Sequence, residues 1–107
     1  MDMVIRFEVN YIDLNPTIGS EINKIRPAVI VSPNEMNNAL NTVIIAPLTS
    51  TLKPYPMRVN CRIEGKQGQI ALDHLRSIDK IRLRSKIGII ETTTQRALIN
   101  TLLEMFS

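Results

Sequence analysis

A chain of 107 residues with 44% hydrophobic and 21% charged side chains has the usage of one globular domain, which excludes a disordered chain and leaves room for a core without disulfide staples. The formal net charge of +3 is unevenly spread: residues 1–52 carry three basic and five acidic side chains, a balance of −2, while residues 53–86 carry nine basic and three acidic, a balance of +6. The second half is therefore expected to face a polyanion or, failing a partner, to be a solvated basic face. Its one cysteine, Cys61, has no internal disulfide partner, and one Cys with one His cannot supply a nitrogen and sulfur zinc site. The start, MDMVIRFEVNYIDL, lacks the layout of a secretory signal, and no apolar run approaches ~18 residues, so a soluble cytoplasmic protein is expected.

From Ile5 to Tyr11, apolar Ile5, Phe7, Val9 and Tyr11 alternate with Arg6, Glu8 and Asn10, the period of a half-buried strand. Asn15-Pro16 and Gly19-Ser20 mark a loop, and Pro27 to Pro33 reads as a continuous apolar strand closed by proline at both ends. Thr42 to Leu48 repeats that character after an Asn-rich turn at Asn37, Asn38 and Asn41. Met57, Val59, Cys61 and Ile63 alternate with Arg58, Asn60, Arg62 and Glu64, a two-faced strand with two outward arginines that Gly65 and Gly68 break. Gln69 to Asp73 and Ile87 to Ile90 are shorter β-prone runs on either side of a polar, basic stretch from Arg76 to Lys86. Thr92 with Gln95 predicts a capping box, and Leu98, Ile99, Leu102, Leu103 and Phe106 recur at helical spacing, with Phe106 expected in the helix core. These elements predict a mainly β (α+β) single domain over residues 1–107: a small curled antiparallel sheet or barrel with one C-terminal amphipathic helix packed on it.

Asp13-Leu-Asn-Pro16, Gly19-Ser-Glu21 and Arg26-Pro-Ala-Val-Ile-Val-Ser-Pro33 resemble, in order and spacing, the opening of MazF/PemK/Kid toxins. Further on, Ile45-Ala-Pro-Leu-Thr-Ser50, Tyr55-Pro56 and Leu72-Asp-His-Leu-Arg-Ser-Ile-Asp79 look like the family's later blocks, so the likeness spans about residues 6 to 105. It implies an SH3-like barrel with a C-terminal helix. It also implies a homodimeric, sequence-specific endoribonuclease for single-stranded RNA that needs no metal or cofactor and is held inactive by a cognate acidic antitoxin. The departures are Ile22 after Gly-Ser-Glu, Phe7 where a Gly usually precedes the first strand, His74 where Gln is common, and Ala71 where some members carry a catalytic Arg two residues before the Asp. A CcdB-like gyrase poison shares this fold but would need a Trp-Gly near the C-terminus, and this chain has no Trp. A non-catalytic SH3-like RNA-binding module would keep the basic face without needing Arg26 and Thr49 together.

Cutting RNA through its own 2′-hydroxyl requires a base for that proton, an acid for the leaving oxygen and cationic charge on the phosphate. Arg26 is the first candidate for the phosphate, because a guanidinium donates in a planar fork at all working pH; otherwise it forms a surface ion pair with Glu21. Thr49 and Ser50 can donate hydroxyls to phosphate oxygens, or merely form a turn ahead of Pro54. Asp73 and Glu21 are rival general bases, and each could instead hold an arginine in place. His74 is the only histidine, the residue type usual as acid or base in metal-free RNA cleavage, but in an extended strand it would point away from Asp73. Arg76, Lys80, Arg82 and Arg84 read as phosphate-tracking charges or as a solvated face. Ser20 joins the RNA-binding set through its motif, and Tyr55, between two prolines, is the aromatic best suited to stack on a base.

Overall fold

The structure is a computed structural model that describes residues 3–14 and 25–107. Ser20 and Glu21, with the Asn15-Pro16 and Gly19-Ser20 loop, lie outside the described residues. In chain order the elements are β1 (Glu8–Asp13), β2 (Ile25–Ile30), α1 (Asn34–Ala39), β3 (Thr42–Thr49), β4 (Arg58–Ile63), β5 (Lys66–Ala71), β6 (Arg76–Asp79), β7 (Leu83–Ile89) and α2 (Thr92–Met105). The strands form one antiparallel sheet in the order β4-β5-β3-β2-β1-β7, with β6 pairing on β3, curled into a half-barrel with α2 against it. The barrel and the terminal helix are as the sequence predicts.

The continuous apolar runs of β2 and β3 have a direct cause. Ala28 and Ile30 enter one core cluster with Ile12, Val43, Ile45 and Ile78. The alternate residues Val29 and Val31 enter the other, with Ala46, Val59, Ile70 and Leu98 of α2. Strands covered on both faces have no polar period to show. Side chains such as Ile30, Ile45 and Ile70 are fully buried, and each stabilises the fold by roughly 1.5–3 kcal/mol through removal of apolar surface from water.

Several local expectations are corrected. The alternation over Ile5–Tyr11 breaks because Phe7 takes a positive φ of 74°, after which Glu8, Val9 and Ile12 are buried and Tyr11 is exposed. Register shifts against β7 at Asn10 complete the change of face. The Asn-rich segment is the short helix α1, whose Asn37 is buried and donates from Nδ2 to Ser32 O at 3.0 Å, while Ser32 Oγ donates to Asn37 Oδ1 at 2.5 Å. The run Gln69–Asp73 ends as a strand at Ala71, and Asp73 and His74 sit in a 3-10 turn, Leu72–His74. The polar, basic stretch Arg76–Lys86 folds as β6, a 3-10 turn and the start of β7, so the last strand begins at Leu83, before the β-prone run Ile87 to Ile90. The capping box does not form: Glu91 is the N-cap, and Gln95 Nε2 donates instead to Ile90 O at 2.9 Å. Phe106, expected in the helix core, is 76% exposed: it lies just past the end of α2 as the C-cap, while Leu98, Ile99, Leu102 and Met105 form the face of the helix that packs on the sheet.

Candidate active site

Strand β3 is paired to β2 through Ile45, Ala46 and Pro47 and to β5 through Leu48 and Thr49. Its last pair with β2 is Ala28–Pro47; beyond that pair β2 runs back to Arg26 and β3 runs on to Thr49, so the two residues belong to the same end of the two strands. At this end of the half-barrel a crevice of about 230 Å³ opens, lined by Tyr11, Pro27, Leu48, Thr49, Ser50 and, from β5, Gly68 among others. Arg26 is exposed at the start of β2, next to the crevice residue Pro27, as an anion-binding side chain should be. Thr49 is half-buried, and its Oγ1 accepts from Thr51 N at 3.1 Å, so the hydroxyl proton stays available for a ligand. Ser50 is exposed beside it.

Asp73 is held elsewhere. Arg58 donates to it twice, from Nε to Oδ1 at 2.8 Å and from the terminal nitrogen to Oδ2 at 3.1 Å, a fork-to-carboxylate pair. The Arg58 hydrogen bonds hold the Asp73 carboxyl below its ordinary range and push the Arg58 guanidinium up. A carboxylate so stabilised is a weak proton acceptor. His74 Nε2 lies 3.4 Å from Asp73 Oδ2, because the 3-10 turn brings neighbours together that a strand would point apart. The Arg58 guanidinium also lies over the Tyr55 ring, 5.1 Å from its centroid.

From the alternation of β4, Arg58 is recognisable only as an outward arginine. The register shows its place: Arg58 is the cross-strand partner of Ala71, so the guanidinium beside Asp73 comes from β4 and not from position 71. Alternation marks the face of a strand, but the register that pairs it has no local signature.

Arg76 is exposed on β6, opposite Ile45 of β3. Arg84 is tied to Asp13, its terminal nitrogen 2.8 Å from Oδ2, and is therefore a partly neutralised charge. Arg82 donates to Asp13 O at 3.2 Å, and Lys80 is half-buried. Cys61 is buried at the crevice with its thiol pushed up to about 11 by burial, a protonated and unreactive group at neutral pH. Among the described residues, no three His, Cys, Asp or Glu side chains come together to hold a metal ion. No helix there is long and apolar enough to cross a membrane.

Comparison with known proteins matches this geometry to one family. The curated relative "Endoribonuclease EndoA" of Bacillus subtilis is 31% identical over 91 residues, covering 79% of this chain and 78% of that protein. In fold, the chain is similar to a MazE-MazF crystal structure from Deinococcus radiodurans, with a TM-score of 0.86, 23% identity and 99% and 97% of the two chains covered. It is also similar to an endoribonuclease in complex with its cognate antitoxin from a mycobacterial species, with a TM-score of 0.81, 23% identity and 96% and 94% covered. The family described as PemK-like, MazF-like toxin of type II toxin-antitoxin system matches residues 5–106, and the chain belongs to that family.

Proposed function

We propose that the protein is a toxin that cuts single-stranded RNA at the mouth of the half-barrel, without a metal or cofactor, as a cytoplasmic homodimer restrained by a cognate acidic antitoxin. The observation that carries this reading is the placement of Arg26 and Thr49 at the same end of the paired strands β2 and β3, beside an open crevice lined by Pro27 and Thr49. The names of its relatives support the reaction class.

In the proposed reaction the 2′-oxygen attacks the adjacent phosphorus while a base takes its proton. The bond from phosphorus to the 5′-oxygen breaks, an acid protonates that oxygen, and the products end in a 2′,3′-cyclic phosphate and a 5′-hydroxyl. Arg26 stabilises charge on the pentacoordinate phosphate and can deliver the leaving-group proton, and the Thr49 hydroxyl donates to a phosphate oxygen. Ser50 and Arg76 add contacts to the backbone. Asp73, clamped by Arg58, is poorly suited to be the base, which leaves Glu21 as the carboxylate that the sequence offers for that role.

The test is cleavage of mixed RNA in excess EDTA by the wild type and by Arg26→Ala. Cleavage should persist in EDTA, and Arg26→Ala should lose about 100-fold or more in rate, the scale of removing one transition-state donor, while melting normally. Products ending in 3′-hydroxyl, or a folded Arg26→Ala protein of normal activity, would refute the mechanism.

A further inference from the structure

The cluster around Arg58 lies apart from Thr49. Asp73 follows by four residues Gln69, the β5 partner of Thr49, which is roughly 10 Å along the chain. Exposure within the cluster is graded. The Arg58 side chain is 9% exposed, the Asp73 side chain 33% and the His74 side chain 64%, and Tyr55 is 49% exposed. A buried guanidinium thus supports three side chains that remain open to a ligand.

The segment that carries Tyr55 is fixed before anything binds. Pro54 and Pro56 restrict its backbone. Gln69 clamps Lys53, accepting from Lys53 N at 2.9 Å and donating to Lys53 O at 3.0 Å, and Arg58 N donates to Tyr55 O at 3.2 Å. An aromatic ring held this way costs little ordering entropy when a base stacks on it.

We propose that Tyr55, Arg58, Asp73 and His74 form one base-reading subsite, in which Arg58 is the positioning residue for a stacking ring and for a carboxylate that selects bases bearing an exocyclic amino group. The proposal rests on the ribonuclease reading above and concerns a nucleotide neighbouring the one whose phosphate is cut. The Arg58 fork occupies one lone pair on each carboxylate oxygen, and a carboxylate offers about four acceptor sites. The remaining sites accept from the amino group of adenine, cytosine or guanine. Uracil presents carbonyl oxygens on both sides of its single N–H and would set them against the negative charge. Because the same fork keeps Asp73 ionised, it cannot turn donor to accommodate uracil.

The experiment is cleavage of a randomised RNA pool, with product ends sequenced, by the wild type, Asp73→Asn, Tyr55→Leu and Arg58→Lys, each checked for normal melting. The wild type should deplete uracil at one position flanking the cut. Asp73→Asn, whose amide can donate to a uracil carbonyl, should raise uracil there at least about 5-fold and leave other positions unchanged. Tyr55→Leu should raise KM about 10-fold with little change in kcat, the loss of one stacked base. Arg58→Lys, which cannot form the fork, should show both effects. If the wild type cuts RNA but folded Asp73→Asn and Tyr55→Leu keep its base profile and KM, the subsite is overturned while the ribonuclease reading stands. A wild type that cuts no RNA overturns both.

Discussion

A methyl group added at Gly68 would sit 2.9 Å from the carbonyl oxygen of Thr49, closer than real Cβ contacts come, and the obstacle is backbone that cannot swing aside. Gly68 therefore permits β5 to approach β3 at the residue that the proposed chemistry needs. Gly68→Ala should push Thr49 out of place and lower the cleavage rate by ~10-fold or more, since small misplacements at a reacting centre are costly. Gly88→Ala is the control, because a Cβ there meets nothing within 4 Å, and it should change stability by less than about 0.5 kcal/mol. Rates and melting curves of the two variants check this, and equal activity would deny Gly68 that role. Phe7 is the opposite case: its φ of 74° is one that glycine adopts freely, and its side chain is kept because it packs against the core under the guanidinium of Arg6, 5.1 Å from the ring centroid.

Among the elements, the hairpin of β4 and β5 determines where Arg58 meets Asp73. Its two-residue loop, Glu64-Gly65, joins the paired Ile63 and Lys66, and both loop residues have positive φ, 51° and 75°. That is the turn whose twist matches the strands, and it favours Asn-Gly. Glu64 is the misfit, since a long L side chain in the left-handed region costs roughly 1 kcal/mol. Glu64→Asn should therefore stabilise the protein by about 0.5–1 kcal/mol, visible as a higher thermal midpoint. A lower midpoint would show that the Glu64 side chain makes a contact worth more than its backbone strain. The pairs from Arg58–Ala71 to Ile63–Lys66 all depend on this loop, so a longer one would shift Arg58 away from its carboxylate.

Over the whole molecule, the +6 balance of residues 53–86 is less free than its count suggests. Arg58 is spent on Asp73, Arg84 on Asp13 and Lys86 on Glu8. Arg62, Lys66 and Arg76 make no salt bridge among the described residues and are exposed. An acidic antitoxin tail should accordingly draw on Arg26 and Arg76 more than on Arg84, and it should compete with RNA for the same surface. Titrating the cognate antitoxin against labelled, uncleavable RNA at two salt concentrations tests this. Both ligands should weaken with salt, and each should displace the other. Simultaneous binding of both would place inhibition on another surface.

The sequence by itself determined the elements whose physics is local. The apolar runs of β2 and β3, the alternation of β4 and the helical spacing of α2 follow from which faces must be buried, and the motif order through Asp79 carried the family. Tertiary structure decided what depends on partners far along the chain. Phe7 adopts a backbone angle that its identity disfavours because its amide bonds Ile30 O at 2.8 Å and its carbonyl accepts from Ile90 N at 3.1 Å, and this moved the buried face of β1. Asp73 became the partner of Arg58, fifteen residues away, only when the β4–β5 register was set. Side-chain periodicity shows which face a residue takes, whereas register and long-range hydrogen bonds determine which other residue it meets there.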